Sequence, residues 1–440
     1  MSNFFNVDSV SHNTVRSWIL RLSYGLLFKT EIEKRDDWIY IIDFSNQLSS
    51  QRCLLILAVP YEHFKNNNFI LQHKDMTVVD IYVKDRTNGD LVNERLKFAS
   101  ERTGLPYQII SDGGPDVKKG VNNFIECTSP KTIFTNDMTH KIALHLKHIL
   151  EPNEEWNELS KDLRSIAQQT KQSDAAFLRP VSMRKKSRWL NVDRISYWLK
   201  NIYKYESRED FSLLEKNFGL SEDFVGKIIN NKNEQRKLLK KTFKTKEEVK
   251  NYISKFKLSS SVLEKLELID LGEKYFKEKF EKIDSHKKFA EELEEMINVS
   301  DIIKTKLKKD GLSNNTISEL EKSYNSKNII HEKTQILFQN IIQSLNEQIR
   351  NFSTNIIKPQ LCVSDIIESI FGKFKVQLTN AVGGIYATVL NIVLICNNFT
   401  IDKIHKILNE TKLNEVQNWF EMMSGKSIQY KRNIAFNKKI

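Results

Sequence analysis

The stretch that decides the fold is WIYIIDFSNQLSSQRCLLILAV, residues 38–59. Two unbroken apolar runs, 38–42 and 53–59, flank a short polar segment. Runs without polar alternation mark strands buried on both faces. The polar segment between them suits a hairpin. One carboxylate, Asp43, closes the first run. A charge at the end of a central, buried strand is costly unless it is paired or binds a metal. The plainer alternative is an aspartate that caps the strand end or starts a turn.

Outward from this pair the strand signals continue. MTVVDIYV (76–83) reads as a third strand, with TNGD as the turn after it. Residues 91–103 form a charged amphipathic helix, closed by Gly104 and Pro106. YQIISDGG (107–114) is a fourth strand running into a glycine turn, and VKKGVNNFIE a helix. KTIFTND (131–137) is the fifth strand. The order is three strands, helix, strand, helix, strand. Asp112 follows the fourth strand directly before Gly113 and Gly114, which is also where an ordinary turn aspartate would stand. If the fourth strand lies beside the first, Asp43 and Asp112 emerge on the same sheet edge. Two carboxylates there can bridge divalent cations, with a third from a nearby helix. Oxygen ligands without a His/Cys set favour magnesium or manganese over zinc.

The third carboxylate has a candidate in LCVSDIIESIFGKFK, residues 361–375. Glu368 sits among Ile366, Ile367, Ile370 and Phe371 at helical spacing. Asp365 is an alternative ligand, and Glu368 could instead be a rim residue with its stem on the apolar face. From about 141 to 358 the pattern is helical, with mixed-sign charge runs typical of solvated faces. Pro359 breaks it, and helices are expected at 364–379 and 381–396. AVGGIYATVLNIVLIC (381–396) is short for a membrane span and contains Asn391, so a buried helix is the better reading.

Residues 11–27 form one amphipathic helix, with Val15, Trp18, Ile19 and Leu22 at helical spacing and Arg16 among them. It suits either an ordinary surface helix or the recognition helix of a helix-turn-helix. In the second case the sequence reads as beginning inside a DNA-binding domain. MRKKSRW (183–189) groups Arg184, Lys185, Lys186 and Arg188 beside Trp189. Basic groups contact phosphates and an aromatic stacks on an unpaired base. A core tryptophan flanked by solvated lysines would look the same.

The 440 residues carry a net charge of +12 with a pI near 9.2, which suits a polyanionic partner, nucleic acid first and an acidic membrane second, and equally a basic protein with no such partner. Cys53, Cys127, Cys362 and Cys396 form no C-x-x-C pair, so neither a zinc knuckle nor a disulfide framework is expected. The N-terminus lacks a signal-peptide pattern.

The whole order resembles the RNase H-like core of DDE transposases, across roughly 11–200 and 361–435. WIYIIDFSNQ is similar to that family's first catalytic strand, and GLPYQIISDGGPDVKKGVNNF to its second acidic motif. SDIIESIFGKFK resembles the third acidic motif of bacterial insertion-sequence transposases. NDMTH carries the Asp-x-x-His signature of the hAT and Mutator groups, here Asp137 and His140. The resemblance implies an α/β fold: an RNase H-like mixed sheet interrupted by a large all-α insertion. Its parts would be a partial helix-turn-helix (1–30), the first part of the core (31–140), the insertion (141–358) and the second part (359–440). It implies DNA cleavage and strand transfer at mobile-element ends, with Mg²⁺ or Mn²⁺ on Asp43, Asp112 and Glu368. Asp137 and His140 would support that site, although a histidine after a strand is also a common structural hydrogen-bonder. Arg16 and the 184–189 cluster would contact DNA. Double-stranded DNA, element ends and target, is the expected partner, in a bacterial cytoplasm at the nucleoid, with no membrane and with a homo-oligomer on DNA as an option. The alternatives are an RNase H-like nuclease without strand transfer, and a truncated or domesticated transposase that only binds DNA.

Overall fold

A computed structural model describes residues 10–45, 51–67, 70–84, 87–173, 176, 178–182, 191–206, 280–325, 329–350, 352, 358–378, 384–424 and 428–436. The first elements are helix α1 (His12–Phe28), strands β1 (Trp38–Phe44) and β2 (Arg52–Pro60), helix α2 (Tyr61–Asn66) and strand β3 (Thr77–Lys84). Helix α3 (Gly89–Thr103), β4 (Gln108–Ser111), α4 (Pro115–Cys127) and β5 (Ile133–Asn136) come next. The five strands form one mixed sheet in the order β3-β2-β1-β4-β5. β1–β2 and β2–β3 are antiparallel, whereas β1–β4 and β4–β5 are parallel. The strands fall where the apolar runs place them, and β1 is central.

The remaining described helices are α5 (Met138–Leu150), α6 (Glu154–Thr170), α7 (Val192–Glu206), α8 (Glu281–Asp284), α9 (Lys287–Asp310), α10 (Asn314–Asn325) and α11 (Glu332–Arg350). After them come α12 (Asp365–Leu378), α13 (Gly384–Leu390), α14 (Ile392–Ile395), α15 (Ile401–Glu410), α16 (Leu413–Ser424) and α17 (Ile428–Phe436). The chain divides into two compact units. One comprises Met1–Lys141, Ile302–Ser326 and Ile342–Ile440; the other comprises Ile142–Asp301 and Lys327–Ile341. The segments 302–326 and 342–358 thus group with the sheet.

In the sheet unit, side chains alternate between two cores, as a strand period of two requires. Trp38, Tyr40, Ile42, Leu54 and Ile56 pack on one face with Val92 and Leu96 of α3 and Val121 and Phe124 of α4. Ile39, Ile41, Leu55 and Leu57 pack on the other with Leu26 and Leu27 of α1, with Ile367, Ile370, Phe371 and Phe374 of α12, and with Trp419 of α16. Each fully buried side chain of this size stabilises by about 1.5–3 kcal/mol. In β3 one extra residue, Val79, is inserted opposite the Ile56/Leu57 step. Asp80 is fully buried and meets the guanidinium of Arg95 at 2.7 Å through both oxygens.

Helix α1 is capped by Ser11, which accepts from the Thr14 backbone N–H. Its C-terminal half is buried against α15 and α16. Gly25 permits this: a Cβ there would come within 2.4 Å of Ile407 and 2.5 Å of Thr411. Arg21 donates to the carbonyls of Thr411 (2.7 Å) and Leu408, which satisfies the end of α15. The segment expected as one helix over 381–396 is broken at Asn391 into α13 and α14. Bonds there tighten to the i→i−3 pattern, Asn391 N–H to Thr388 and Leu394 N–H to Asn391. Asn is a poor helix former whose side chain competes with the backbone.

The second unit is helical in its described residues, with Trp156, Leu159 and Leu163 of α6, Ile195 and Leu199 of α7 and Leu293 of α9 buried. Its buried His286 meets Asp162 at 2.9 Å, and Lys333 joins Glu292 (2.7 Å) and Glu155 (3.2 Å). No described helix is long and apolar enough to cross a membrane.

Candidate active site

An aspartate stands at the carboxyl end of each of three strands: Asp43 is the last residue but one of β1, and Asp112 and Asp137 directly follow β4 and β5. The parallel register pairs Ile41 with Ile110. Continued by two residues, it sets Asp43 opposite Asp112. Between β4 and β5 Ser111 pairs with Asn136, so one further step sets Asp112 opposite Asp137. The Asp137 N–H bonds the Ser111 carbonyl at 2.7 Å, which keeps that pairing to the strand end. Neighbouring strands lie about 4.8 Å apart. Asp43 shares its face with Ile39 and Ile41, and Asp112 with Ile110, and these isoleucines pack in the core that contains α12. The two aspartates therefore belong to the sheet face on which the helix of Glu368 lies.

Asp43 is 8% exposed and accepts from its neighbour, the Phe44 N–H, at 2.7 Å. Asp112 is half-buried and accepts from the Gly114 N–H at 2.9 Å. The turn after it depends on glycine: Gly113 has φ +75°, and a Cβ there would stand 2.7 Å from Asn136 Oδ1. Asp137, 1% exposed, accepts from the Thr139 N–H (2.8 Å), the His140 N–H (3.4 Å) and the Ser364 hydroxyl (2.5 Å). It opens α5 in the manner of a helix cap. His140 is half-buried in the first turn of that helix.

Glu368 stands in the first turn of α12 and is exposed, while Ile367, Ile370, Phe371 and Phe374 are buried. At about 100° per residue, Glu368 and Lys373 leave the helix on opposite sides of the buried stripe. Asp365, the alternative ligand, is held by Lys308 at 3.4 Å. On the Lys373 side lies a cavity of about 330 Å³ lined by Leu71, His73, Lys308, Leu361, Ile366 and Ser369. Its polar rim is a chain: Ser369 Oγ to His73 Nε2 at 3.1 Å, and His73 Nδ1 to Lys373 Nζ at 3.0 Å. Burial and then the Lys373 charge push the His73 pKa down. An ammonium donating to Nδ1 leaves the proton on Nε2, which then donates to Ser369. That tautomer cannot take the serine proton, so this is not a nucleophile–base pair.

The parallel pairing of β1 with β4 puts Asp43 and Asp112 at the carboxyl ends of neighbouring strands. Glu368 is on α12, which packs on the same sheet face, and among the described residues no group of three His, Cys, Asp or Glu is formed that could hold a metal ion. As a donor set, Asp43 and Asp112 fit a hard divalent cation, being two carboxylates at adjacent strand ends without a nitrogen or sulfur ligand in the pair. Arg16 is exposed on α1. Arg184, Lys185, Lys186, Arg188 and Trp189 lie outside the described residues. Two residues that sequence reasoning missed are Gln108 and Ser364. Gln108 opens β4 fully buried, and Ser364 directly precedes α12. A glutamine directly before Ile109 and Ile110 at the start of a short strand was the available signal.

Compared with models of protein families and with curated proteins, the chain matches none.

Proposed function

We propose that this chain is a metal-dependent polynucleotidyl transferase of the DDE transposase type, with an RNase H-like core. The observation that carries the reading is the parallel pairing of β1 with β4, whose carboxyl ends carry Asp43 and Asp112, in a sheet with the Glu368 helix packed on one face. The strand order β3-β2-β1-β4-β5, with an antiparallel half and a parallel half, supports the same reading. Ligands of open α/β sheets gather at the carboxyl ends of parallel strands, where these aspartates lie.

Asp43 and Asp112 would hold Mg²⁺ or Mn²⁺, with Glu368 as the third ligand. A divalent cation bound there supplies an activated oxygen nucleophile and stabilises the leaving oxygen of an in-line phosphodiester displacement. The aspartates would fix where the scissile phosphate sits, because they are carried by strands of the sheet and not by a long loop. The net charge of +12 favours approach of DNA, and Arg16 and the 184–189 cluster are the proposed phosphate contacts. The rival nuclease reading uses the same carboxylates and differs only in the acceptor of the displacement.

The test is metal-dependent cleavage of a duplex bearing the sequences that flank the gene. Wild-type protein is expected to nick or cut it with Mg²⁺ or Mn²⁺ and to join the product to a second duplex. Cleavage without joining would favour the nuclease. Equal cleavage by Asp43→Asn would defeat both readings.

A further inference from the structure

We propose that Ser364 and Gln108 are positioning residues that set where Glu368 stands. The proposal rests on the catalytic reading above. Residues 359–364 form a non-helical strap that delivers α12 to the sheet. Gln108 fastens its middle: Oε1 accepts from the Leu361 N–H at 3.2 Å, and Nε2 donates to the Leu361 carbonyl at 2.6 Å and to Thr135 Oγ1 at 2.8 Å. A side-chain amide thus imitates the paired bonds of a neighbouring strand. The Cys362 carbonyl accepts from the Met138 N–H at 2.8 Å. The strap ends on Ser364, 3% exposed, whose hydroxyl donates to Asp137. The Ser364 carbonyl then accepts from the Ile367 N–H at 3.1 Å as α12 begins.

These bonds connect the proposed site in one short path. Asp112 is next to Asp137 in register, Asp137 holds Ser364, and Glu368 comes one helical turn later. Fixing the first turn of a helix fixes both its height and its rotation. A carboxylate one turn on then takes its position from the sheet edge and not from the distant end of the helix. Metal ligands must be held within about 0.5 Å and 10–20° of productive geometry, so a loosened strap would leave Glu368 present but misplaced. Asp137 on this view acts through Ser364, not as a ligand.

The experiment compares full-length wild type, Ser364→Ala, Ser364→Thr, Gln108→Met and Asp43→Asn on the flanking-sequence duplex. Single-turnover cleavage, its Mg²⁺ dependence, DNA affinity and hydrogen exchange by mass spectrometry are measured. Ser364→Ala should slow cleavage about 10–100-fold at saturating DNA, the effect of misplacing a reacting-site group by about 1 Å. It should raise the Mg²⁺ concentration for half-maximal rate and leave DNA affinity unchanged. Exchange should quicken over 361–368 while β1 and β4 stay protected. Ser364→Thr, which keeps the hydroxyl, should restore rate and Mg²⁺ dependence, and Gln108→Met should shift them as Ser364→Ala does. A folded Ser364→Ala with wild-type rate and Mg²⁺ dependence overturns the proposal, as does unchanged exchange over 361–368. If Asp43→Asn abolishes cleavage while Ser364→Ala does not alter it, only the positioning role falls. If Asp43→Asn cuts as well as wild type, the catalytic reading fails and the positioning role falls with it.

Discussion

The ends of β4 and β5 are neighbours in register and both finish on an aspartate, yet the two surroundings differ. Asp137 is sealed in, with two backbone N–H groups and a serine hydroxyl on its oxygens. Asp112 is half-buried, bonds the Gly114 N–H of its own turn, and follows the strand that pairs with β1. The same residue type at the same strand position thus serves structure in one place and, on our proposal, chemistry in the other. The difference comes from the residues just beyond each strand. A glycine pair turns the chain away after Asp112, whereas α5 begins at once after Asp137 and uses its carboxylate as a cap.

The largest expected effect tests the chemical side of this contrast. Asp112→Asn keeps shape and the Gly114 bond but removes the charge a cation needs. Cleavage should fall on the order of 10³-fold, as when a group stabilising transition-state charge is removed. Unfolding stability should move little, and DNA affinity should stay put because it rests on phosphate contacts elsewhere. Glu368→Gln should give the same pattern. An Asp112→Asn protein that unfolds easily but cuts normally when folded would reverse the assignments of the two strand ends.

A third buried aspartate shows the purely structural extreme. Asp80 lies mid-strand, fully buried, with a two-point bond to Arg95, whose guanidinium lies 4.6 Å from the Tyr82 ring and 4.3 Å from that of Phe98. Burial opposes the Arg95 charge, but the two bonds to Asp80 hold its pKa up. Arg95→Met would leave a buried carboxylate without its cation, which costs about 3 kcal/mol. Denaturant unfolding measures this, and DNA cleavage by the folded fraction should be unchanged. Asp137→Ala comes next. It removes a helix cap and leaves the Ser364 hydroxyl buried without its acceptor, for a loss of about 2 kcal/mol. A loss within experimental scatter would mean that Asp137 is not structural.

The strands were legible because their evidence is local. The 38–42 and 53–59 runs need no partner to be recognised, and Asp43 and Asp112 stand out as carboxylates where apolar runs end. What sequence could not supply is pairing. Nothing in YQIISDGG says that β4 lies against β1, and only that pairing puts the two aspartates at the ends of adjacent strands. Gln108 and Ser364 stayed hidden for the same reason, since their partners are 253 and 227 positions away. A buried glutamine or serine has no meaning until the strap that it holds is known. The break at Asn391 was half visible: the residue is plainly polar, but the apolar periodicity around it outweighs its helix propensity when the sequence is read alone.

The smallest expected effect lies at the opposite end of the sheet and completes the contrast among aspartates. Asp37, directly before β1, bonds Arg35 through both oxygens, at 2.7 and 3.2 Å. It also accepts from the Glu62 N–H at 3.4 Å. Burial works against its charge, yet Arg35 and the backbone bond prevail and hold the carboxyl below its ordinary value. A carboxylate whose pKa is depressed by folding contributes stability that is present above the unfolded pKa of about 4. That contribution is lost as pH falls through the folded value. The pair is partly exposed and so should contribute only about 0.5 kcal/mol. Arg35→Met should therefore be less stable than wild type by about that amount near pH 7, and the gap should close below about pH 3 as Asp37 protonates in both proteins. It should also shrink in high salt, because exposed pairs are screened. A gap that persisted unchanged into acid would mean that Arg35 acts through packing and not through Asp37. Cleavage should be the same in both proteins at every pH where both are folded, since this end of β1 lies a strand's length from Asp43.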